Sequence, residues 1–398
     1  MSPLVIIFLT VFIDLVGFGI IIPILPLYAE RHGASKFEIG LLLASYSLAQ
    51  FVFAPILGSL SDRVGRKRVL AVSLYGTAIA SFVLGFASTL PYALWLIFAA
   101  RIVDGITGAN IATAQAYVAD VTPAEKRAKG LGLIGMAFGL GFVLGPAIGG
   151  LLSTVDETLP FYVVGVLAAA NATAMLFRLP EPERHISFAV EAGSRFTRLT
   201  AALRAPETRL LLVVTLLTMT AFAAMEATLA LLLKERFEYD QAGTSYLFAF
   251  VGIVMAAVQG SLVGRFVDRT GERPLIVFGA ALLACGFLLL ALPLPVSVPL
   301  LLAALAMFAV GIGLHNPAVT GLVSRLTPAS QQGSALGVTQ SMSSIGRILG
   351  PLVGGALYQF GWGLPYYAGA AIMAVAVALA LYYNATVYAP RSEPSASR

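Results

Sequence analysis

Apolar segments of about 20 residues follow one another along most of this chain, with short polar breaks between them. A helix of that length crosses the ~30 Å hydrocarbon core of a bilayer, whereas membrane β-barrels use strands of about 10 residues that alternate apolar and polar positions. Only 11% of the 398 residues are charged, against roughly 25% in a soluble domain. The sequence therefore predicts an all-α integral membrane protein.

Twelve spans are predicted, and the longest polar stretch lies between the sixth and the seventh. Six spans precede a cytoplasmic linker at 180–208 and six follow it, which predicts an N-terminal bundle at 1–179 and a C-terminal bundle with its tail at 209–398. The first span carries no basic leader or cleavage pattern, so we expect a retained helix. The approximate spans are 4–27, 38–60, 69–88, 92–117, 129–153, 160–179, 209–233, 242–264, 274–292, 297–322, 332–358 and 364–386.

Lys and Arg are distributed unevenly between the connecting loops. With the N-terminus inside, the inner loops and the C-terminal tail hold nineteen of the 25 basic residues, and the outer loops hold Arg31, Lys36, Lys234 and Arg236. Because basic residues accumulate on the cytoplasmic side, both termini are expected in the cytoplasm, with the chain in the inner (plasma) membrane. The net charge of +5 then reflects topology and not nucleic-acid binding.

One unit of sequence occurs twice. The segment 58–68, GSLSDRVGRKR, recurs as 264–274, GRFVDRTGERP, and 139–150, GLGFVLGPAIGG, recurs as 344–355, SIGRILGPLVGG. Six spans is an even number, so both copies enter the membrane in the same orientation, as two pseudo-symmetric six-helix bundles. The glycine-rich segments are expected to form sliding surfaces between the two halves.

Two charged positions change sign together between the copies. Arg66 aligns with Glu272, and Asp120 aligns with Arg325. Independent surface charges would seldom change as a pair, so we infer that Arg66 contacts Asp120 and that Glu272 contacts Arg325. The alternative is a chance exchange between two charged inner loops. We expect a conformational latch that consists of Gly58, Asp62, Arg63, Gly65, Arg66, Asp120, Asp268, Glu272 and Arg325.

Five charged residues fall inside the predicted spans, where a charge is costly and usually faces a cavity or a partner. Asp14 lies about ten residues into the first span, near mid-membrane at ~1.5 Å per residue. It is predicted to carry a proton or attract a cationic ligand, or else to pair structurally with a neighbouring helix. The other four are Arg101, Asp104, Glu226 and Arg347.

The roles of those four stay open between a functional and a structural reading. Arg101 and Asp104 are three residues apart. Either they form a local ion pair that lowers the insertion cost, or Arg101 keeps a carboxylate ionised and releases it on protonation. Asp104 is then a proton carrier or a simple counter-ion. Glu226 is a second protonation or cation site, a gate, or a structural group. Arg347 pairs with an acid or binds an anionic group of the substrate.

Uncharged polar residues within the spans are candidates for substrate binding, although each of them could equally bond one helix to another. Asn110 and His315 align across the repeat, which suggests facing positions near the centre. Histidine titrates near neutrality, but a lone histidine is more often structural. The full set is Gln50, Asn110, Gln115, Asn171, Gln259, His315, Asn316 and Gln340.

Several chemistries find no support in the sequence. There is no GxxxxGK[ST] loop for direct ATP drive, no HExxH or GxSxG motif and no clustered metal-ligand set. The single cysteine, Cys285, excludes an intramolecular disulfide framework. We therefore expect neither an enzyme nor a cofactor or metal.

Three segments resemble the major facilitator superfamily. GSLSDRVGRKR resembles the signature between its second and third helices, RIVDGITGAN at 101–110 resembles the fourth-helix motif of proton-coupled members, and GLGFVLGPAIGG resembles the fifth-helix motif of drug:proton antiporters. FIDLVGFGIIIPILP at 12–26 and RIVDGITGANIATAQAYVADVT at 101–122 look most like the tetracycline-efflux branch. The resemblance covers essentially the whole chain.

The resemblance implies proton-coupled efflux of hydrophobic or cationic drugs by alternating access. It implies an antiporter motif of Gly141, Gly145, Pro146, Gly149 and Gly150, and it favours proton coupling at Arg101. Together with the other charged residues of the spans, the expected proton-coupling set is Asp14, Arg101, Asp104 and Glu226. The partners are then a small drug-like substrate, protons and lipid, and we expect a monomer. The alternatives are a carrier of a dedicated metabolite, sugar or lipid on the same fold, and a membrane sensor that does not transport.

Overall fold

The computed structural model describes residues 2–108, 110–122, 127–181, 206–293, 295–327 and 332–386, and these described residues form helices without any strand. A five-residue π-helical turn, Val258–Leu262, joins the ninth helix to the tenth. In chain order the helices are α1 (Pro3–Arg31), α2 (Lys36–Val64), α3 (Arg66–Ala87), α4 (Ala93–Thr107), α5 (Asn110–Val121), α6 (Arg127–Ser153), α7 (Leu159–Arg178), α8 (Pro206–Phe237), α9 (Gln241–Ala257), α10 (Val263–Thr270), α11 (Glu272–Ala291), α12 (Val298–Leu326), α13 (Gln332–Tyr358) and α14 (Leu364–Thr386).

Eleven helical segments of the described residues are long and apolar enough to cross a membrane, by length and composition. One of them, Ala93–Val121, combines α4 and α5, and another, Gln241–Thr270, combines α9, the π-turn and α10. The remaining predicted span is α13, a 27-residue helix. Its first half, QGSALGVTQSMSS, contains fewer apolar residues because Ser, Gln and Thr occupy many of its positions. The all-α membrane fold is thus confirmed, with about twelve spans.

The segment 58–68 differs from the polar turn that its composition suggests. Helix α2 continues to Val64 and α3 begins at Arg66, so the chain reverses at Gly65 alone, with φ 112° and ψ 141°. The second copy reverses at Gly271, with φ 77° and ψ 177°. Only glycine adopts this backbone region readily. The polar residues remain helical because a helix satisfies its own backbone hydrogen bonds.

The start of α2 is fixed by a capping box. The Ser35 hydroxyl accepts a hydrogen bond from the Glu38 amide at 3.2 Å, and the Glu38 carboxylate accepts one from the Ser35 amide at 2.7 Å. These two bonds satisfy backbone donors that a helix N-terminus otherwise leaves free. They place Lys36 in the first turn of α2, at the end of the span opposite to Gly65.

The described helices pack into two compact units. The first consists of the described residues within Met1–Val190, Ala223–Ala256 and Arg347–Pro365, and the second of those within Glu191–Phe222, Ala257–Gly346 and Tyr366–Arg398. The first unit therefore combines the first six spans with parts of α8, α9 and α13. The predicted linker 180–208 lies for the most part, at 182–205, outside the described residues.

In the first unit, α1 and α6 cross closely because glycines face the backbone of α1. A methyl group built on Gly145 would lie 2.7 Å from the Val16 carbonyl oxygen, and one on Gly141 would lie 2.8 Å from the Leu15 Cβ. Small residues allow such close approach within a membrane, where packing replaces the hydrophobic effect. A buried apolar cluster that includes Ile7, Val11, Leu15, Leu70, Leu74, Tyr117 and Met175 surrounds this crossing.

The glycine motif of α6 is therefore only in part a surface between the two sequence halves. Gly149 also packs on α1, with a built methyl group 3.1 Å from the Ile20 oxygen, whereas Gly150 lies against Ser245 of α9 at 3.1 Å. Gly355, the counterpart of Gly150 in the repeat, packs against Gly40 of α2. One glycine in each copy meets the other half. The glycines that pack within their own half are Gly141, Gly145 and Gly149 of α6 and Gly346 and Gly354 of α13.

The second unit is built around the crossing of α11 and α12. A methyl group built on Gly279 would lie 2.7 Å from the Gly311 oxygen. The rings of Phe287 and Phe308 meet edge to face, with centroids 4.6 Å apart. This crossing holds His315 of α12 against α11.

Candidate functional site

Arg101 is buried in α4, only 2% exposed, between a carboxylate and an aromatic ring. Its Nη1 donates to Asp104 Oδ2 at 2.7 Å, and its guanidinium carbon lies 4.1 Å from the ring centroid of Tyr46 in α2. Its Nε has no hydrogen-bond partner among the described residues. The two charges neutralise one another within a low-dielectric environment, and the ring face adds a cation–π contact.

Asp14 of α1 has a neutral partner instead of a cation. Its Oδ2 accepts a hydrogen bond from the Asn110 Nδ2 at 3.0 Å. The carboxylate is partly exposed, and none of the ion pairs between described residues includes it. Asp14 is therefore a membrane carboxylate whose charge is solvated by an amide and is not balanced by a direct partner.

Glu226 of α8 and Arg347 of α13 are both partly exposed. Each lies within electrostatic range of the other. Among the described residues, neither has an ion-pair partner within 4.0 Å. The two opposite charges are thus neighbours without direct contact.

Tyr46 links these groups, and the sequence analysis did not identify it. Its ring lies within electrostatic range of Asp14, Arg101, Asp104 and Arg347. All five membrane charges thereby belong to one connected polar cluster in the first unit, which we call the charge cluster: Asp14, Tyr46, Arg101, Asp104, Glu226 and Arg347. The sequence feature that could have identified Tyr46 is a group of polar residues, SYSxxQ at 45–50, on an otherwise apolar span.

The predicted substrate-binding residues fall into different environments. Gln50 donates to the Gly108 oxygen at 2.9 Å and so satisfies the end of α4, where the fourth span is interrupted. Asn171 donates to the Thr10 oxygen at 2.9 Å, a bond between two helices. Asn110 is buried and donates to Asp14. Apart from His315, the other uncharged candidates have side chains that are exposed (Gln115, Gln259 and Gln340) or partly exposed (Asn316).

His315 is fully buried in the second unit, with 0% exposure. Its Nδ1 lies 3.0 Å from the Ile276 oxygen and its Nε2 lies 3.1 Å from the Thr218 hydroxyl. Because a carbonyl only accepts, Nδ1 carries the proton of the neutral ring and Nε2 accepts from Thr218. Both ring nitrogens are engaged, which favours a structural role over substrate contact. The hydrogen bond between His315 and Thr218 corresponds to the one between Asn110 and Asp14, because Asn110 is the repeat counterpart of His315.

Both ion pairs inferred from the sign reversal are present. Arg66 Nε lies 3.0 Å from Asp120 Oδ2, and its Nη1 lies 2.6 Å from Asp62 Oδ1. In the second copy, Arg325 Nε lies 2.8 Å from Glu272 Oε1. The latch function of these contacts stays a prediction. Two further members of the predicted latch are exposed at the same helix ends, Arg63 and Asp268.

At the opposite helix ends, five side chains form what we call the charge ring. Lys36 Nζ pairs with Glu30 and lies 2.7 Å from Glu235 Oε1, and Lys234 Nζ lies 2.7 Å from Glu30 Oε2. Tyr358 donates its hydroxyl to Glu235 Oε2 at 3.0 Å. The ring joins the ends of α1 and α2 to those of α8 and α13, all within the first unit.

The sequence analysis missed the charge ring although the repeat contained it. Glu30 and Arg31 recur 205 residues later as Glu235 and Arg236, and Lys36 lies between the two glutamates. The arginines are also anchored at equivalent places: Arg31 pairs with Glu157, and the Arg236 guanidinium carbon lies 4.2 Å from the Trp362 ring centroid.

Metal binding finds no donor set in the part of the chain that the structure describes, where no group of three or more His, Cys, Asp or Glu could hold an ion. The carboxylates and guanidinium groups of the charge cluster can bind protons and charged ligands.

Comparison with known proteins is consistent along the whole chain. The family model described as Major Facilitator Superfamily matches residues 7–344 and 260–398. The chain is 35% identical to the class C tetracycline resistance protein of Escherichia coli, over 94% of this chain and 95% of that protein. It is 29% identical to multidrug resistance protein 1 of Bacillus subtilis (strain 168), over 97% of each chain.

Solved structures agree on the fold. The nucleoside transporter NupG superposes with a TM-score of 0.74 at 16% identity, covering 98% of this chain and 100% of that one. The human organic anion transporter MFSD10 superposes with a TM-score of 0.69 at 24% identity, covering 95% and 98%. With its many apolar helices, the chain is a multi-pass membrane transporter and not an enzyme; it belongs to the Major Facilitator Superfamily and is similar there to the tetracycline-efflux branch.

Proposed function

We propose that this protein exports hydrophobic or cationic drugs in exchange for protons, by alternating access, from the inner membrane with both termini in the cytoplasm. The observation that carries the proposal is the unbalanced carboxylate of Asp14. Arg101 and Asp104 cancel one another by direct contact, and Glu226 is offset by the nearby Arg347. Asp14 alone has a neutral partner, so the charge cluster holds one negative charge in excess. The names of the relatives, tetracycline resistance and multidrug resistance proteins, support drugs as the substrates.

An excess carboxylate in the membrane is stabilised by a proton or by a cationic ligand. Because either one neutralises the charge, binding of the first weakens binding of the second. This competition is what an exchanger needs: a proton from outside displaces the drug, and a drug from inside displaces the proton. Glu226 extends the negative region toward α8 and adds a second group at which the same exchange can occur.

The packing of the first unit supports alternating access. At the charge-ring end of α2, Gly40 packs directly on Pro351 and Gly355 of α13, whereas a methyl group built on Gly58 at the other end would meet nothing within 4 Å. In α6, Gly150 is packed in the same way, and three glycines at the latch end have open space: Gly132, Gly135 and Gly139. With the proposed topology, these helices of the first unit are packed together at their outer ends, and the glycines named here leave open space at their inner ends.

The latch contacts then act in the opposite state, in which the inner ends of the helices are closed. Asp62 is largely exposed, with a side-chain exposure of 60%, so it is available for new contacts when the inner ends of the helices come together. Each set of closing contacts must contribute only a few kcal/mol, because a ligand shifts such an equilibrium only by its differential affinity for the two states.

Transport by the purified full chain in liposomes tests the proposal. An acidic interior should drive uptake of ethidium, a fluorescent permanent cation, and collapse of the pH gradient should stop it. Asp14→Asn should abolish the gradient-driven part, whereas Glu238→Gln, which changes an exposed acid outside the charge cluster, should leave it intact. Absence of gradient-driven uptake over a broad panel of cationic drugs would refute the antiport proposal.

A further inference from the structure

Glu226 and Arg347 form an opposite pair that is close but not joined. Both side chains are partly exposed, and neither makes a hydrogen bond or ion pair with another described residue. Arg101 and Asp104 show what a closed pair looks like in the same protein, with 2.7 Å between nitrogen and oxygen and almost no exposure. A guanidinium and a carboxylate held apart within membrane spans are each left with unused binding capacity.

The helices that carry the two charges run side by side. A methyl group built on Gly346 of α13 would lie 2.6 Å from Met219 Cβ, and one on Gly354 would lie 2.9 Å from the Ala224 oxygen. The two helices therefore run in the same direction. Arg347 lies seven residues before Gly354, and Glu226 lies two residues beyond Ala224. The two charged residues are thus separated by about 14 Å along the axis at ~1.5 Å per residue.

A ligand with a single charge can pair with only one of the two residues, Glu226 or Arg347. A simple cation at Glu226 leaves Arg347 without a partner, and a simple anion at Arg347 approaches the acids of the charge cluster. Arg347 offers five N–H donors in a planar fork and accepts none, which matches a carboxylate or a comparable planar anion. Glu226 offers acceptors for an ammonium or a delocalised cation.

We propose that substrates bridge Arg347 and Glu226 along the face of the packed helices α8 and α13, and that they are zwitterions with the anionic group on Arg347 and the cationic group on Glu226. This inference rests on the proposed function, because it concerns the substrate of that same charge cluster. The inference also assigns two separate roles. Asp14 remains the group that exchanges the proton, and Glu226 and Arg347 recognise the charged groups of the drug.

Three dyes with the same xanthene core distinguish the possibilities. Rhodamine B is a zwitterion, its ethyl ester is a cation and fluorescein is an anion. Binding to the purified full chain in detergent is followed by fluorescence polarisation, with no proton gradient. The ratio of affinities for rhodamine B and its ester is compared between variants, so that different partitioning of the dyes into micelles cancels.

The wild-type protein should prefer rhodamine B, and Arg347→Gln should reduce the ratio by about tenfold to a hundredfold, as for a lost charge-assisted hydrogen bond. Arg347→Lys should restore part of the ratio, because it keeps the charge and loses the fork. Glu226→Gln should weaken both rhodamine B and its ester, and Glu238→Gln should change neither. Size-exclusion profiles identify any variant that has not folded.

Two results would overturn the inference. One is a wild-type protein that does not bind rhodamine B or binds the ester and fluorescein equally well; the other is a preference that survives in Arg347→Gln. Failure of the proposed function is recognised separately. Intact dye selectivity together with no gradient-driven uptake of either ethidium or rhodamine B would reject antiport and leave the zwitterion site standing.

Discussion

At the scale of single residues, Arg101 and Asp14 show two ways of holding a charge in a membrane. Arg101 is compensated by Asp104 and by the ring of Tyr46, and it is buried almost completely. Asp14 keeps partial exposure and a neutral amide partner. A directly compensated pair contributes to stability, whereas an uncompensated group is free to bind something else. The two carboxylates should therefore respond in opposite ways to neutralisation.

Removal of one member of the buried pair should destabilise the protein strongly. Arg101→Ala leaves Asp104 as an unpaired buried charge, and such a loss costs about 3–5 kcal/mol. The double variant Arg101→Ala with Asp104→Ala removes both charges and should recover much of the loss. Thermal unfolding in detergent measures both; a double variant less stable than Arg101→Ala would contradict the pairing.

Neutralisation of Asp14 should have little effect on stability. Asp14→Asn removes a charge that has no direct partner and keeps a group able to hydrogen-bond to Asn110, so the unfolding temperature should stay the same or rise. Asp104→Asn, which frees Arg101 from its partner, should lower it. Thermal unfolding of the two variants side by side checks this, and a similar drop in both would contradict the difference assigned to the two sites.

The charges of the site could be found in the sequence, but their pairing could not. Any charged residue inside an apolar span stands out, and so all five were identified. Which of them meet depends on helix rotation and on which helices are neighbours, and neither follows from spacing along one span. Tyr46 escaped notice because an aromatic residue in an apolar helix is ordinary until a guanidinium lies on its face.

At the scale of helices, close crossings depend on glycine. Gly145→Val should destabilise the crossing of α1 and α6 because a methyl group there already lies 2.7 Å from the Val16 oxygen, and overpacking typically costs about 1–3 kcal/mol or more. Gly139→Val, on the same helix with nothing within 4 Å, is the matched control. Equal losses of thermal stability in both variants would argue against the crossing.

The reversal between α2 and α3 depends on one backbone conformation. Gly65→Ala should lose about 1–3 kcal/mol, because φ 112° is strained for any side chain and the new methyl group would meet Glu181 Oε1 at 2.8 Å. Gly58→Ala, in the helix and in open space, should be neutral or slightly stabilising. Thermal unfolding of both tests this, and an undamaged Gly65→Ala protein would refute it.

Helix number was predictable, and helix ends were less so. Hydropathy identifies the part of a helix that lies in hydrocarbon, but α2 continues past its last apolar residues through the polar segment to Val64. The predicted spans ended at 60 and resumed at 69, because Gly, Ser and Asp are usual turn formers. In a membrane protein the helix ends at the first residue that leaves its backbone region, here Gly65.

At the scale of the whole molecule, the two ends of the helices carry different charged contacts. The charge ring joins helices from both halves of the sequence, and the latch pairs lie at the opposite ends. Comparison of the two repeats predicted the latch pairs, because a sign reversal is visible in one sequence. The same comparison contained Glu30–Arg31 and Glu235–Arg236. Because the charges at these positions are the same in both copies, they did not indicate that the two glutamates share Lys36 as a partner.

Disruption of the charge ring should shift the carrier toward its other conformation. Lys36→Gln leaves Glu30 and Glu235 without the cation between them, and their repulsion favours separation of these helix ends. In a Cys285→Ser background, spin labels at the exposed residues Phe37 and Phe360 should show a larger fraction of long distances. Arg68→Gln, exposed at the latch end, should leave the distribution unchanged. An unaltered distribution in Lys36→Gln would contradict a closing role for the ring.

Proton release on drug binding tests the central claim, that proton and drug compete for the charge cluster. The purified protein is titrated with ethidium in weakly buffered detergent solution near neutral pH, with a pH-indicator dye as the readout. Ethidium has no titratable charge in this range, so any released proton comes from the protein. The account predicts release that saturates with binding and is reduced in Asp14→Asn. Full ethidium binding by the wild type without any proton release would contradict it.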